Sequence, residues 1–113
     1  MQVKFLCRGN SLIVALNGEL DHHSAQLISN KIDTEIVNTT AKNLMLDFSK
    51  VTFMDSSGIG VVVGRYKSIL QLKGNLVLIN PSSQIKRIFE MAGILKQIKV
   101  YESIDKAIST IAG

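Results

Sequence analysis

One cysteine, one proline and no tryptophan occur among the 113 residues. A lone thiol, Cys7, cannot close an internal disulfide, so a disulfide scaffold is excluded and a reducing cytoplasm is the expected setting. The apolar runs last only a few residues, far short of the roughly 20 that cross a bilayer, so no membrane partner is expected. The first residues carry neither a basic start nor a signal-type apolar core, and no lipidation signature is present. Adjacent basic residues are equally scarce: despite a formal charge of +4, Lys86-Arg87 is the one basic pair. With two tyrosines and no tryptophan there is no stacking platform, and nucleic acid is not an expected partner.

What is present describes an ordered globular chain. Hydrophobic residues make up 46% and charged residues 19%, and no linker or repeat divides the sequence, so a single domain over residues 1–113 is expected. Residues 2–8 and 11–17 alternate in polarity around Gly9-Asn10, which predicts a hairpin. Gly18 reads as a break. After Glu19-Leu20-Asp21 the period turns helical, with Ala25, Ile28, Ile32 and Ile36 in line and Leu27 in support, until Asn38-Thr39-Thr40 stops it. Leu44, Leu46 and Phe48 predict a third strand, with Asp47 at an edge or an end.

Farther on, Lys73-Gly74-Asn75 interrupts the pattern and Leu76-Val77-Leu78-Ile79 is continuously apolar, as a strand covered on both faces should be. Asn80-Pro81-Ser82-Ser83 supplies a turn and a cap for a helix through Ile85, Ile88, Phe89 and Ala92 that ends at Gly93. Residues 99–101 predict a short strand, and Ser103 caps a last helix carrying Ile104, Ala107, Ile108 and Ile111. Strands alternating with helices after a hairpin predict an α/β fold, a mixed sheet with about four helices packed against it.

The stretch that organises this layout is Phe53-Met54-Asp55-Ser56-Ser57-Gly58-Ile59-Gly60, where an apolar strand gives way to a helix. Asp55, Ser56 and Ser57 are all good N-terminal cap types, because a short side-chain oxygen accepts from amides left free in the first turn. Composition does not choose among the three. Ile59, Val62, Val63, Tyr66, Ile69 and Leu70 form the stripe expected to face the core, leaving Gly60, Val61 and Gly64 on a smooth outer face open to a partner's backbone. Each glycine inside a helix costs up to about 1 kcal/mol relative to alanine, so this group needs either a packing or a docking reason.

Catalytic readings find less support. Asp21-His22-His23 is a helix start rather than a metal or acid-base site, since adjacent histidines diverge on regular structure and no further histidine exists. Ser-Ser-Gly-Ile-Gly is not the nucleophile elbow of a hydrolase, and Gly58-Ile59-Gly60 lacks the lysine of a phosphate-binding loop. No catalytic residue, metal or cofactor is expected.

Gly18-Glu19-Leu20-Asp21, Leu46-Asp47-Phe48-Ser49 and the run from Val51 to Gly60 together resemble the STAS family of anti-sigma factor antagonists. The continuation through Gly64-Arg65-Tyr66-Lys67, and later Lys86 to Gly93, is similar to the sporulation member that controls the forespore sigma factor. The resemblance implies a single STAS-type domain and an anti-anti-sigma role. The unmodified chain would bind an anti-sigma factor that is also a serine kinase, with its bound nucleotide, and the sigma factor would be released. Phosphorylation would reverse this at the second hydroxyl of the motif, Ser57, and a serine phosphatase would restore the active form. The implied partner surface comprises Asp21, Asp55, Ser56, Ser57, Gly58, Gly60 and Gly64. A STAS scaffold or regulatory module of another signalling assembly is the alternative.

Overall fold

A computed structural model describes residues 1–111, so the last two residues of the expected domain lie outside the described residues. The elements follow in the order β1 (Gln2–Arg8), β2 (Ser11–Leu20), α1 (Ala25–Asn38), β3 (Asn43–Met54), α2 (Ser57–Gln71), β4 (Leu76–Ile79), α3 (Ser83–Met91), β5 (Lys99–Tyr101) and α4 (Ile104–Ile111). A short 3-10 turn, Ile94–Lys96, precedes β5. The strands make one sheet ordered β1-β2-β3-β4-β5, antiparallel between β1 and β2 and parallel beyond. It is the mixed sheet that the alternation predicts.

Parallel neighbours need crossovers, and α1, α2 and α3 supply them. Leu12, Val14, Leu16, Leu44, Leu46, Phe48, Leu76 and Leu78 form one apolar face of the sheet, packed with Ile28 and Ile32 of α1, Val61, Val62 and Ile69 of α2, and Ile85 and Phe89 of α3. Phe48 and Phe89 meet edge to face, 5.3 Å between ring centres. On the opposite face Ile13, Met45, Val77 and Ile79 pack with α4 through Ala107. β4 is therefore buried on both faces, as its unbroken apolar run requires. The expected caps also form: the hydroxyl of Ser82 accepts from the Ile85 amide at 3.3 Å, and that of Ser103 from the Lys106 amide at 3.2 Å.

Four details differ from the sequence expectations. Gly18 does not end β2; it adopts φ +117° within the strand, and register shifts on either side carry the pairing on to Leu20. Asp47 lies on central β3 rather than at a sheet edge, on the face that α4 covers only in part; it pairs with Ile79, the last residue of β4. Its carboxylate accepts from the amide and hydroxyl of Ser49, 2.9 and 2.7 Å away. Leu27 points to solvent on α1. On α2 the core stripe is turned: Val61 is buried and Leu70 is half exposed. The helix packs on α1 as well as on the sheet, so its inward sector is centred between two neighbours rather than on one.

The connection after α2 is tight. A Cβ on Gly74 would collide with the backbone carbonyl of Lys42, which leads into β3, so only glycine lets these segments pass. That approach fixes the far end of α2 against the sheet. Its near end forms the site.

Candidate functional site

Parallel pairing brings the ends of β2 and β3 together. Leu20 and Met54 are the last register partners, and the Asp55 amide donates to the Leu20 carbonyl at 3.3 Å. The Asp21–Ser24 loop and the Asp55-Ser56-Ser57 turn consequently leave the sheet side by side. Asp21 organises its own loop: one carboxylate oxygen accepts from the amides of His23 and Ser24, at 3.0 and 3.1 Å. Asp55 joins the two loops. Its Oδ1 accepts from the Ser57 amide at 2.8 Å and its Oδ2 from the His22 amide at 3.3 Å.

These bonds set the charge state of both acids. The Ser24 amide, then that of His23, holds the Asp21 carboxyl below its ordinary value. The Ser57 amide does the same for Asp55, while the nearby Asp21 charge pushes the other way. Both groups are ionised carboxylates at neutral pH. The turn thus presents two negative charges beside two hydroxyls.

The choice among cap residues is settled by the same geometry. Ser56 occupies the N-cap position of α2 but makes no side-chain cap bond, and the Asp55 carboxylate caps instead. The amides of Ser57, Gly58 and Ile59 are taken by the Asp55 carboxylate, the Asp55 carbonyl and the Ser56 carbonyl. The first turn therefore keeps no amide free at these positions to neutralise an added anion.

The seven surface residues named from the sequence separate into distinct positions. Asp21, Asp55, Ser56 and Ser57 converge on the two-loop turn, with Ser56 exposed and Ser57 half-buried. Gly58 is a correction: it is buried and faces inward, where a Cβ would strike the Met54 side chain and stand 3.2 Å from Leu20 Cδ2. It shapes the turn from below. A Cβ placed on Gly60 or Gly64 would meet nothing within 4 Å, so open space lies over both. Val61 leaves the expected outer face and enters the core.

Sequence reasoning did not assign a role to α1 here. Ala25, Gln26, Ser29 and Asp33 form one wall of a groove whose other wall is Ser57, Gly60, Val61 and Arg65. A helical line through Ser57, Val61 and Arg65, spaced by four, is the signal that could have revealed it. His22 and His23 are exposed at the start of α1, as expected, but they do not diverge. They sit in the loop, not in regular structure, and their rings lie close with centres 3.9 Å apart and planes tilted by 39°. Among the described residues no group of three or more metal-binding side chains occurs, and no helix is long and apolar enough to cross a membrane.

A mixed five-stranded sheet that presents two adjoining loops and the start of one helix defines a compact α/β domain with its distinctive polar chemistry at one end of the sheet. The STAS domain model matches residues 2–107, and the chain belongs to that family. It is 32% identical over 111 residues to an anti-sigma F factor antagonist of Paenibacillus polymyxa, covering 98% of this chain and 95% of the relative. The solved structure of the anti-sigma factor antagonist SpoIIAA in its unphosphorylated form superposes with a TM-score of 0.86 at 29% identity, covering 99% of this chain and 97% of that one. The Bacillus cell fate determinant SpoIIAA in its phosphorylated form gives 0.75 at 29% identity, with 97% of this chain and 99% of that one covered.

Proposed function

We propose that this chain is an anti-sigma factor antagonist, a binding protein rather than an enzyme. Its unphosphorylated form binds an anti-sigma factor that is also a serine kinase, carrying its own nucleotide, and thereby frees the sigma factor; phosphorylation of Ser57 switches it off, and a serine phosphatase resets it. Similarity to the Paenibacillus antagonist, and to SpoIIAA in both modification states, supports the reading. The observation that carries the choice of serine is the groove. Ser57 lines it beside the open space over Gly60, whereas Ser56 is not one of its walls.

The surroundings supply a physical basis for switching. A phosphate adds roughly −1.5 to −2 charges at neutral pH. At Ser57 that charge would enter a turn whose first amides already have acceptors and whose Asp21 and Asp55 are ionised. Repulsion and the added bulk then act against a partner lying on Asp21, Asp55, Ser56, Ser57, Gly60 and Gly64. A loss of about 2–3 kcal/mol would lower affinity roughly 30- to 150-fold, enough to change partners.

Incubation with an anti-sigma F factor, the class of target that the Paenibacillus relative's name gives, together with ATP and mass mapping, tests this directly. Phosphate should appear on Ser57, and Ser57→Ala should remain unmodified while still binding. Modification of Ser56 with Ser57 untouched would overturn the assignment.

A further inference from the structure

The end of the sheet that carries the serine turn projects beyond the other strands. The last pair between β1 and β2 on this side is Gln2 with Asn17, and the last between β3 and β4 is Asp47 with Ile79, while β2 and β3 stay paired as far as Leu20 and Met54. Residues 18–20 and 51–54 therefore form a two-stranded ribbon whose outer edges have no strand partner. Phe53 stands on this ribbon and is 51% exposed. The other three phenylalanines, Phe5, Phe48 and Phe89, lie in or against the core. Simple alternation from the buried Val51 would turn Phe53 inward as well. Instead the register passes from Gly18–Val51 to Glu19–Phe53, Thr52 is left over as a bulge, and the phase reverses. Phe53 thus shares an outer face with the exposed Glu19, while Met54 and Leu20 take the inward places.

We propose that Phe53 is an apolar anchor for the anti-sigma partner, its ring entering an apolar pocket on that protein. The inference rests on the function proposed above and adds a docking residue on the face of the ribbon opposite α2. Continuity with the serine turn carries it. Two residues, about 7 Å of extended chain, separate Phe53 from Asp55, and the Asp55 amide is tied to the Leu20 carbonyl, so ring and turn belong to one braced end of the sheet. An interface of ordinary size covers about 800 Å² on each partner, enough for a protein resting on the turn to reach the ring. Thr52 and Glu19 beside it are exposed and polar, which supplies the apolar centre and polar rim that interfaces share. Aromatic side chains that fill a partner's pocket are among the strongest contributors to association, and the half of this ring left in water is surface that such a pocket would bury.

The test sets Phe53→Ala against a control, Val37→Ala. Val37 is also apolar and exposed, but it stands about 18 Å beyond Ala25 along α1, away from the turn. Each variant is titrated calorimetrically into an anti-sigma F factor with ADP, which permits binding and no phosphate transfer, and is melted alone. Phe53→Ala should bind about tenfold more weakly than wild type, or worse, while melting close to the wild-type temperature, and Val37→Ala should bind as wild type does. Equal affinity of wild type and a folded Phe53→Ala overturns the inference and leaves the proposed function standing. An equal loss in Val37→Ala overturns it too, because the ring would then hold no special place. If Phe53→Ala fails to fold, Phe53→Thr, which keeps a residue suited to a strand, is read by the same criterion. Wild type that binds no anti-sigma factor refutes the functional reading, and the anchor with it.

Discussion

Gly58 and Gly64 stand on the same helix and meet opposite surroundings. A Cβ on Gly58 would run into Met54 and crowd Leu20, both buried, whereas one on Gly64 would find nothing within 4 Å. The first glycine is required by packing beneath the serine turn. The second is not required by the fold at all, although it carries the helix-propensity penalty of about 1 kcal/mol. Within one motif, therefore, the same residue type serves the interior at one turn and surface shape at another.

The largest effect expected from this contrast is at Gly58. Gly58→Val places a branched side chain against Met54 and Leu20, and overpacking of this kind costs about 2 kcal/mol. Denaturant unfolding should show the loss as a lower midpoint. A variant as stable as wild type would mean that Met54 swings aside without cost, and the distinction between the two glycines would collapse.

A smaller effect is expected from acid, and it should be confined to the turn. The folded protein holds the Asp21 and Asp55 carboxyls below their ordinary value, chiefly through the Ser24 and Ser57 amides. In the acid range the unfolded chain therefore binds more protons than the folded one, so stability rises with pH there. The contribution is present above the unfolded carboxylate value of about 4 and is lost as pH falls through the lower folded values. Melting curves across that range should show this decline in wild type and a weaker one in Asp21→Asn/Asp55→Asn. Identical pH profiles would detach the two acids from the stability of the turn.

Much of this arrangement was legible in the residues because it is local. The unbroken Leu76–Ile79 run announces a doubly covered strand, and Ser82 and Ser103 announce caps, since each signal depends on neighbours a few positions away. What escaped depends on tertiary partners. Gly18 reads as a break because glycine commonly punctuates regular structure, but pairing with β3 holds it inside a bulged strand. Leu70 and Val61 exchange their expected environments because α2 leans on α1 as well as on the sheet, and periodicity cannot state which neighbour a stripe will meet. That Asp21 and Asp55 share one surface was expected from the family resemblance. Their division of labour was not, because it rests on which backbone amide points at which carboxylate.

The finest test concerns Gly64, where the effect on the fold should be the smallest and the effect on binding should not. Leucine restores helix propensity worth up to about 1 kcal/mol, and the space over Gly64 leaves its Cβ unopposed, so Gly64→Leu should melt at the wild-type temperature or slightly above it. Its side chain would nevertheless project one turn beyond Gly60, over the surface on which we place the anti-sigma partner. A partner backbone that approaches the helix closely there would be held off, and titration should show weaker binding. The two readouts must separate for the comparison with Gly58 to hold: Gly58→Val loses stability, Gly64→Leu loses affinity alone. Unchanged affinity in a folded Gly64→Leu would confine the interface to the serine turn, the Asp21 loop and the groove that ends at Arg65.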